Sequence, residues 1–229
     1  MCASNLHLTA SQQRTVHNLS LDPGLAMPNS TGVVSCSVDL DAANACSDYV
    51  ASNWKNGMLR LPVGTVIHGF NTYGKTLSKL NKQQQKLNTL IVNDAMLPAF
   101  RAHVPGFARI EAQLNEFIFT RTGRKAHVFL LHVLRQGQTT VSSTGFANHR
   151  DNEEFHEIEY TIVVKVTPDL TNEPPSAMHV VGAACDFTYG SVAGSGGFFL
   201  ANSHHRSVAP ISSRTHLKLS FFFRCSSRS

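Results

Sequence analysis

The sequence predicts an α+β domain that is mainly β, in which helices come first and a run of strands then closes as a barrel or sandwich. Three observations predict it. Apolar residues before about residue 125 recur at helical spacing. After 126 they come in short β-branched and aromatic runs, and Gly, Pro, Ser and Asn clusters separate those runs. At 229 residues, 42% hydrophobic and 8% aromatic, the chain has enough apolar surface for one domain with its own core.

Residues 1–31 are polar, hold Pro23, Gly24 and Pro28, and show no sustained period, so they read as a flexible N-terminal arm. Residues 32–229 read as one domain, a helical buttress over 32–125 and a β core over 126–224. Asp39 is placed to cap a helix over about 41–54, with Ala42, Ala45, Cys46, Tyr49 and Val50 as its apolar stripe. Gly57 ends it. Leu59 to Phe70 reads as extended, interrupted by Pro62 and Gly64. Residues 75–93 carry Leu77, Leu80, Leu87 and Leu90 on one helical face and Lys75, Lys79, Lys82 and Lys86 on another. A further helix is expected over Ile110 to Arg121, after the Pro105-Gly106 break. Strands are then expected at 127–134, 158–166, 178–181, 197–200 and 217–223. Trp54 and Phe221 to Phe223 read as packing residues.

Composition excludes some classes of function. No apolar run approaches the roughly eighteen residues of a membrane helix, and the start of the chain lacks the pattern of a secretory signal. Cys2, Cys36, Cys46, Cys185 and Cys225 are scattered, with no Cys-x-x-Cys pair. That usage suits a reducing compartment, so cytoplasm or nucleus is expected. The net charge is +5, unevenly distributed. Between 54 and 150 thirteen Lys and Arg face three acids, and 151–175 is acidic. The basic block, with its lysine stripe, suits either an anionic partner such as nucleic acid or a solvated helix face.

The segment Gly145-Phe-Ala-Asn-His149-Arg150-Asp151-Asn152-Glu153 carries the chemistry. In an extended chain, His149 and Asp151 share a face because they are two residues apart. A third ligand is available after the apolar run 196–202, from His204 or His205, and the spacing to Arg214 suits His205 better. Two imidazoles and one carboxylate on one face of an octahedral ion leave positions open for a chelating oxo-acid and dioxygen. Arg214, nine residues beyond His205 and next to an apolar strand, has a use there if it pairs with a carboxylate.

His149-Arg150-Asp151, a gap, then His205 through Arg214 and a hydrophobic strand resembles the 2-oxoglutarate/Fe(II)-dependent dioxygenase superfamily over about residues 127–224. The resemblance implies a double-stranded β-helix (jelly roll), with His149, Asp151 and His205 binding Fe(II). It also implies 2-oxoglutarate and O2 as co-substrates, with ascorbate as reductant. Arg214 would take the distal carboxylate of 2-oxoglutarate. Many members share that carboxylate with a Ser or Thr two residues on, where this chain has His216. Because Asp151 is present, hydroxylation or oxidative demethylation is implied rather than halogenation. Arg150 and Asn152, flanking the ligands, are candidates for meeting substrate.

Several substrates stay open. The His-Arg-Asp-Asn segment is similar to that of the TET/JBP group, which oxidises modified bases in nucleic acid. The spacing from second histidine to arginine is similar to that of the prolyl hydroxylases, which act on protein side chains. A small metabolite is a third option, and a non-catalytic jelly-roll binding module is the rival from another class. Glu153, Glu154, Glu157 and Glu159 read as an acidic rim, while His132 and Arg135 reach into the barrel or sit at ordinary core or edge positions.

Overall fold

The structure is a computed structural model, and it describes residues 32–68, 89–136, 148–153, 155–171, 173–208 and 215–226. The lysine stripe, Arg214, Glu154 and residues 1–31 lie outside that set.

In chain order the elements are β1 (Val34–Ser37), α1 (Leu40–Asn53), β2 (Trp54–Lys55), β3 (Met58–Arg60) and β4 (Val66–His68). Next come β5 (Thr89–Asn93), α2 (Leu97–His103), α3 (Phe107–Thr122) and β6 (Ala126–Gln136). The chain finishes with β7 (Tyr160–Lys165), β8 (Ala177–Val180), β9 (Phe187–Thr188), β10 (Ser195–Leu200), β11 (His205–Val208) and β12 (His216–Cys225). Six strands form an antiparallel sheet in the order β1-β10-β7-β12-β6-β5. Among the described residues there are two further sheets, β11-β8-β9 and β2-β3-β4.

The two faces of the large sheet do different work. Ile162, Val164, Phe198, Leu219 and Phe221 share one apolar cluster with helix residues Phe100, Phe107, Ile110 and Leu114. Phe107 stacks on Phe221 with ring centres 5.7 Å apart, and Phe117 meets Phe198 edge-on. Burying large side chains of this kind is worth about 1.5–3 kcal/mol each, so this layer is the main stabilising core. On the opposite face Val163 and Phe199 pack against Met178, Val180 and Phe187 of the small sheet. This second layer encloses the interior in which the site is built.

Side chain periodicity explains the helices. On α3, Phe107, Ile110, Glu111, Leu114, Ile118 and Thr122 are buried, a stripe at three- and four-residue spacing. The one acid in it, Glu111, takes a two-pronged hydrogen bond from Arg101 at 2.6 and 2.7 Å. Asp39 caps α1 as expected, its side chain accepting from the Ala42 N–H at 2.8 Å. Gly106 opens α3 with φ +77°, and a Cβ there would fall 2.2 Å from the Ala42 carbonyl oxygen. The missing side chain therefore sets how closely α3 approaches α1.

Two expectations are corrected. Residues 89–93, assigned to the end of a lysine-rich helix, are β5, paired edge to edge with β6. Thr89, Leu90, Ile91 and Val92 favour a pleated half-buried surface, and pairing with β6 satisfies their backbone groups. Helix α2 was not read from the sequence, because its seven residues are too few to show a period. The N-terminal segment also contributes β1 and β5, the two edges of the large sheet, so it is not helical throughout.

Candidate metal centre

The site is assembled where the chain crosses between sheets. His149 forms an isolated antiparallel bridge with His205, each backbone N–H donating to the other's carbonyl at 3.0 Å. Asp151 lies in the following turn, its N–H donating to the Ala201 carbonyl at 3.0 Å. The sequence placed the His-x-Asp pair at a strand end. The structure instead has one bridged residue and then a turn, because Asp151 bonds to the loop after β10. The result is still convergent, since ligand atoms of His149, Asp151 and His205 all lie within 4.8 Å of one another.

Geometry and electrostatics fit a divalent cation. His149 Nε2 is 3.4 Å from Asp151 Oδ1, and His205 Nε2 is 3.7 Å from Asp151 Oδ2. Thr161, on β7, donates its hydroxyl to Asp151 Oδ2 at 2.7 Å and fixes the carboxylate's orientation. His205 Nδ1 is 2.9 Å from the Ser203 carbonyl, which assigns the proton to Nδ1 and leaves the Nε2 lone pair facing the cluster. The imidazole rings of His149 and His205 are 4.6 Å apart, and Phe199 meets His205 edge-on.

Burial raises the Asp151 carboxyl. The hydrogen bond with His149, the nearby His205 and the Thr161 hydroxyl outweigh it, so the carboxyl sits below its usual range. Burial lowers His205, partly offset by Asp151. A deprotonated carboxylate beside a neutral His205 suits a bound cation. Of the two histidines left open by the sequence, His205 belongs to the cluster; His204 instead accepts from the Val181 N–H through its carbonyl.

Cross-strand register defines the interior wall in rows. Leu130, Phe222, Thr161 and Phe199 form the row at the metal cluster. His132, Ser220, Val163 and Gly197 form the next, and Leu134, Lys218 and Lys165 the one below. His132 is buried against the Phe222 ring, and burial pushes its pKa down to about 4, so it is neutral. Arg150 is exposed and Asn152 half-buried, each next in sequence to a ligand.

His216 is fully buried, with Nε2 3.3 Å from Glu173 Oε2 and Nδ1 3.9 Å from Asp169 Oδ1. Beside it, Lys165 Nζ lies 2.7 Å from Asp169 Oδ2. The fully buried lysines were not singled out from the sequence. A signal was available, because a lysine inside Ile-Val-Val-Lys-Val or Leu-Lys-Leu-Ser-Phe must either leave the sheet or enter a polar interior.

No protein-family model and no curated protein matches the chain. Solved structures do match its fold. A prolyl-4-hydroxylase from Pseudomonas putida aligns at 13% identity over 86% of this chain and 94% of its own, with a TM-score of 0.52. A prolyl hydroxylase from Trichoplax adhaerens, solved with a hypoxia-inducible-factor oxygen degradation domain peptide, aligns at 9% identity over 95% and 94%, TM-score 0.57. The non-haem α-ketoglutarate-dependent carbocyclase SnoK of nogalamycin biosynthesis aligns at 11% identity over 91% and 85%, TM-score 0.57. The fold is thus the jelly roll of 2-oxoglutarate/Fe(II) oxygenases, as the sequence motifs imply.

Proposed function

We propose that the chain is a 2-oxoglutarate- and Fe(II)-dependent dioxygenase whose iron is held by His149, Asp151 and His205. The observation that carries this reading is the convergence of those ligand atoms within 4.8 Å, inside a fold shared with such oxygenases. Three protein ligands leave coordination positions for an oxo-acid and dioxygen. Bound ferrous iron would supply the oxidation chemistry: 2-oxoglutarate and O2 give succinate and CO2, and the second oxygen atom hydroxylates a substrate C–H bond. The chain's own residues do the rest. Thr161 orients the carboxylate, Ser203 sets the tautomer of His205, and the Phe199 and Phe222 walls keep water from the interior.

For the substrate, we favour a protein side chain of the prolyl type, supported by the two prolyl hydroxylase neighbours. Arg150 and Asn152, flanking the ligands, would meet it. A modified nucleobase rests on the basic block between 54 and 150. Affinity for DNA and RNA against salt separates the two: a steep slope that flattens when Lys75, Lys79, Lys82 and Lys86 are replaced by Gln supports nucleic acid. The activity itself is tested by succinate release from 2-oxoglutarate with iron and ascorbate. Release by the wild type that is lost in Asp151→Ala is the expected outcome, and equal release by both would refute the assignment.

A further inference from the structure

Two rows along from the metal row, the interior wall carries a polar floor of buried ionisable groups. Lys165 ends β7 with its side chain fully buried, directly opposite Lys218 on β12. Lys165 Nζ lies 2.7 Å from Asp169 Oδ2, and the Asp169 side chain is also buried. Neither Asp169 oxygen has a hydrogen-bond partner among the described residues, so Nζ meets the carboxylate as charge against charge, outside hydrogen-bond geometry. Behind the carboxylate stands His216, with Nδ1 3.9 Å from Asp169 Oδ1 and Nε2 3.3 Å from Glu173 Oε2. Glu173 is held in turn, its Oε2 accepting from the Leu170 N–H at 3.2 Å.

The backbone fixes both members of the pair. The Lys165 carbonyl accepts from the Gly194 N–H, and the Asp169 N–H donates to the Ser191 carbonyl, each at 2.7 Å. Amine and carboxyl are thus held in contact, the condition under which intramolecular reactions reach effective molarities of about 10⁵ M or more. Keeping the pair ionised in this interior is costly, because Lys218 is a second buried cation on the neighbouring strand. Burial and repulsion from Lys165 push Lys218 down to about 7, against the pull of Asp169. Joining Lys165 to Asp169 removes one cation and one anion from the floor and leaves a neutral amide.

We propose that Lys165 and Asp169 condense to an isopeptide bond, Nζ to Cγ, with His216 as the proton carrier. Within the pair the ammonium passes a proton to the carboxylate, giving an amine and a carboxylic acid. The Nζ lone pair adds to Cγ, and the C–N bond forms. His216, backed by Glu173, takes the proton that the nitrogen loses and returns it to Oδ1, which leaves as water. Ammonium and carboxylate become amide and water, so atoms and charge balance and nothing is oxidised or reduced. The bond ties the end of β7 to the loop after it, and it forms whether or not the metal centre is loaded.

The intact mass of the purified full-length chain, measured under denaturing conditions, reads the bond directly. The wild type should lie one water below its sequence mass. Trypsin should not cut after Lys165, because the acylated side chain is no longer a cation, and fragmentation should place the missing water within residues 165–169. Lys165→Arg and Asp169→Ala, each shown to be folded by circular dichroism, should lie at their full sequence masses. His216→Gln should cross-link at least ~10-fold more slowly.

A folded wild type found wholly at its sequence mass overturns the proposal. So does a missing water that persists in Lys165→Arg or is recovered with hydroxylamine, since either marks a succinimide at Asp169 instead of a bond to lysine. An unchanged rate in His216→Gln overturns the proton route.

Discussion

Asp151 is the residue on which the proposed metal centre turns. Its carboxylate is 5% exposed, lies between two imidazoles and accepts from Thr161. Asp151→Asn keeps the shape but removes the charge, and metal affinity measured by Mn(II) titration should fall at least ~100-fold. Thr161→Val removes only the orienting hydroxyl, so a loss of about tenfold is expected, with little change in fold. Equal affinities for wild type and Thr161→Val would show that Ala201 and the turn alone hold the carboxylate. Of these residues, His149, Asp151 and His205 were legible in the sequence because a His-x-Asp spacing and a later histidine are local signals. Thr161 was not, since a threonine in a β-branched run reads as ordinary strand.

At the scale of elements, the strands of the core were legible wherever three or more apolar residues ran together, as in β6, β7 and β12. The short strands β2, β9 and β11 were not, because two to four residues carry no period and are fixed by partners distant in the chain. Strand β5 was misread for a related reason: Leu90 continued the leucine spacing of the preceding segment, and tertiary pairing with β6 overrode it. The crossing of α1 and α3 gives the test at this scale. Gly106→Ala adds a methyl against the Ala42 carbonyl at a positive φ. It should destabilise by about 2 kcal/mol or more in urea unfolding, since the conformation alone costs roughly 1–2 kcal/mol and the helix must also move. A change under about 0.5 kcal/mol would mean that α3 is free to shift.

For the whole molecule, the buried lysine sets a pH dependence of stability opposite in sign to that of a lysine that gains a partner on folding. In the folded protein Lys218 titrates at about 7, whereas in the unfolded chain a lysine titrates near 10.4. Between those values the unfolded chain binds more protons, so stability of the metal-free protein should rise with pH from 7 to 9. The slope should reach at most about 1.4 kcal/mol per unit. Subtracting Lys218→Met isolates this contribution, and parallel profiles for the two proteins would contradict it. Above pH 9 the buried Cys36 and Cys46 thiols, both pushed up to about 12 by burial, act in the other direction and close the window. The jelly-roll architecture was legible through the motif it carries, while the polar floor was not, because its acids and lysines come from β7, β12 and the loop between β7 and β8.

The central claim is that three side chains distant in sequence make one iron site. Anaerobic titration with Fe(II), followed by equilibrium dialysis, tests it most directly. The account predicts one ion per chain in the wild type and no tight binding in His149→Ala, Asp151→Ala or His205→Ala, with each variant still folded by circular dichroism. One ion per chain retained in all three folded variants would contradict it.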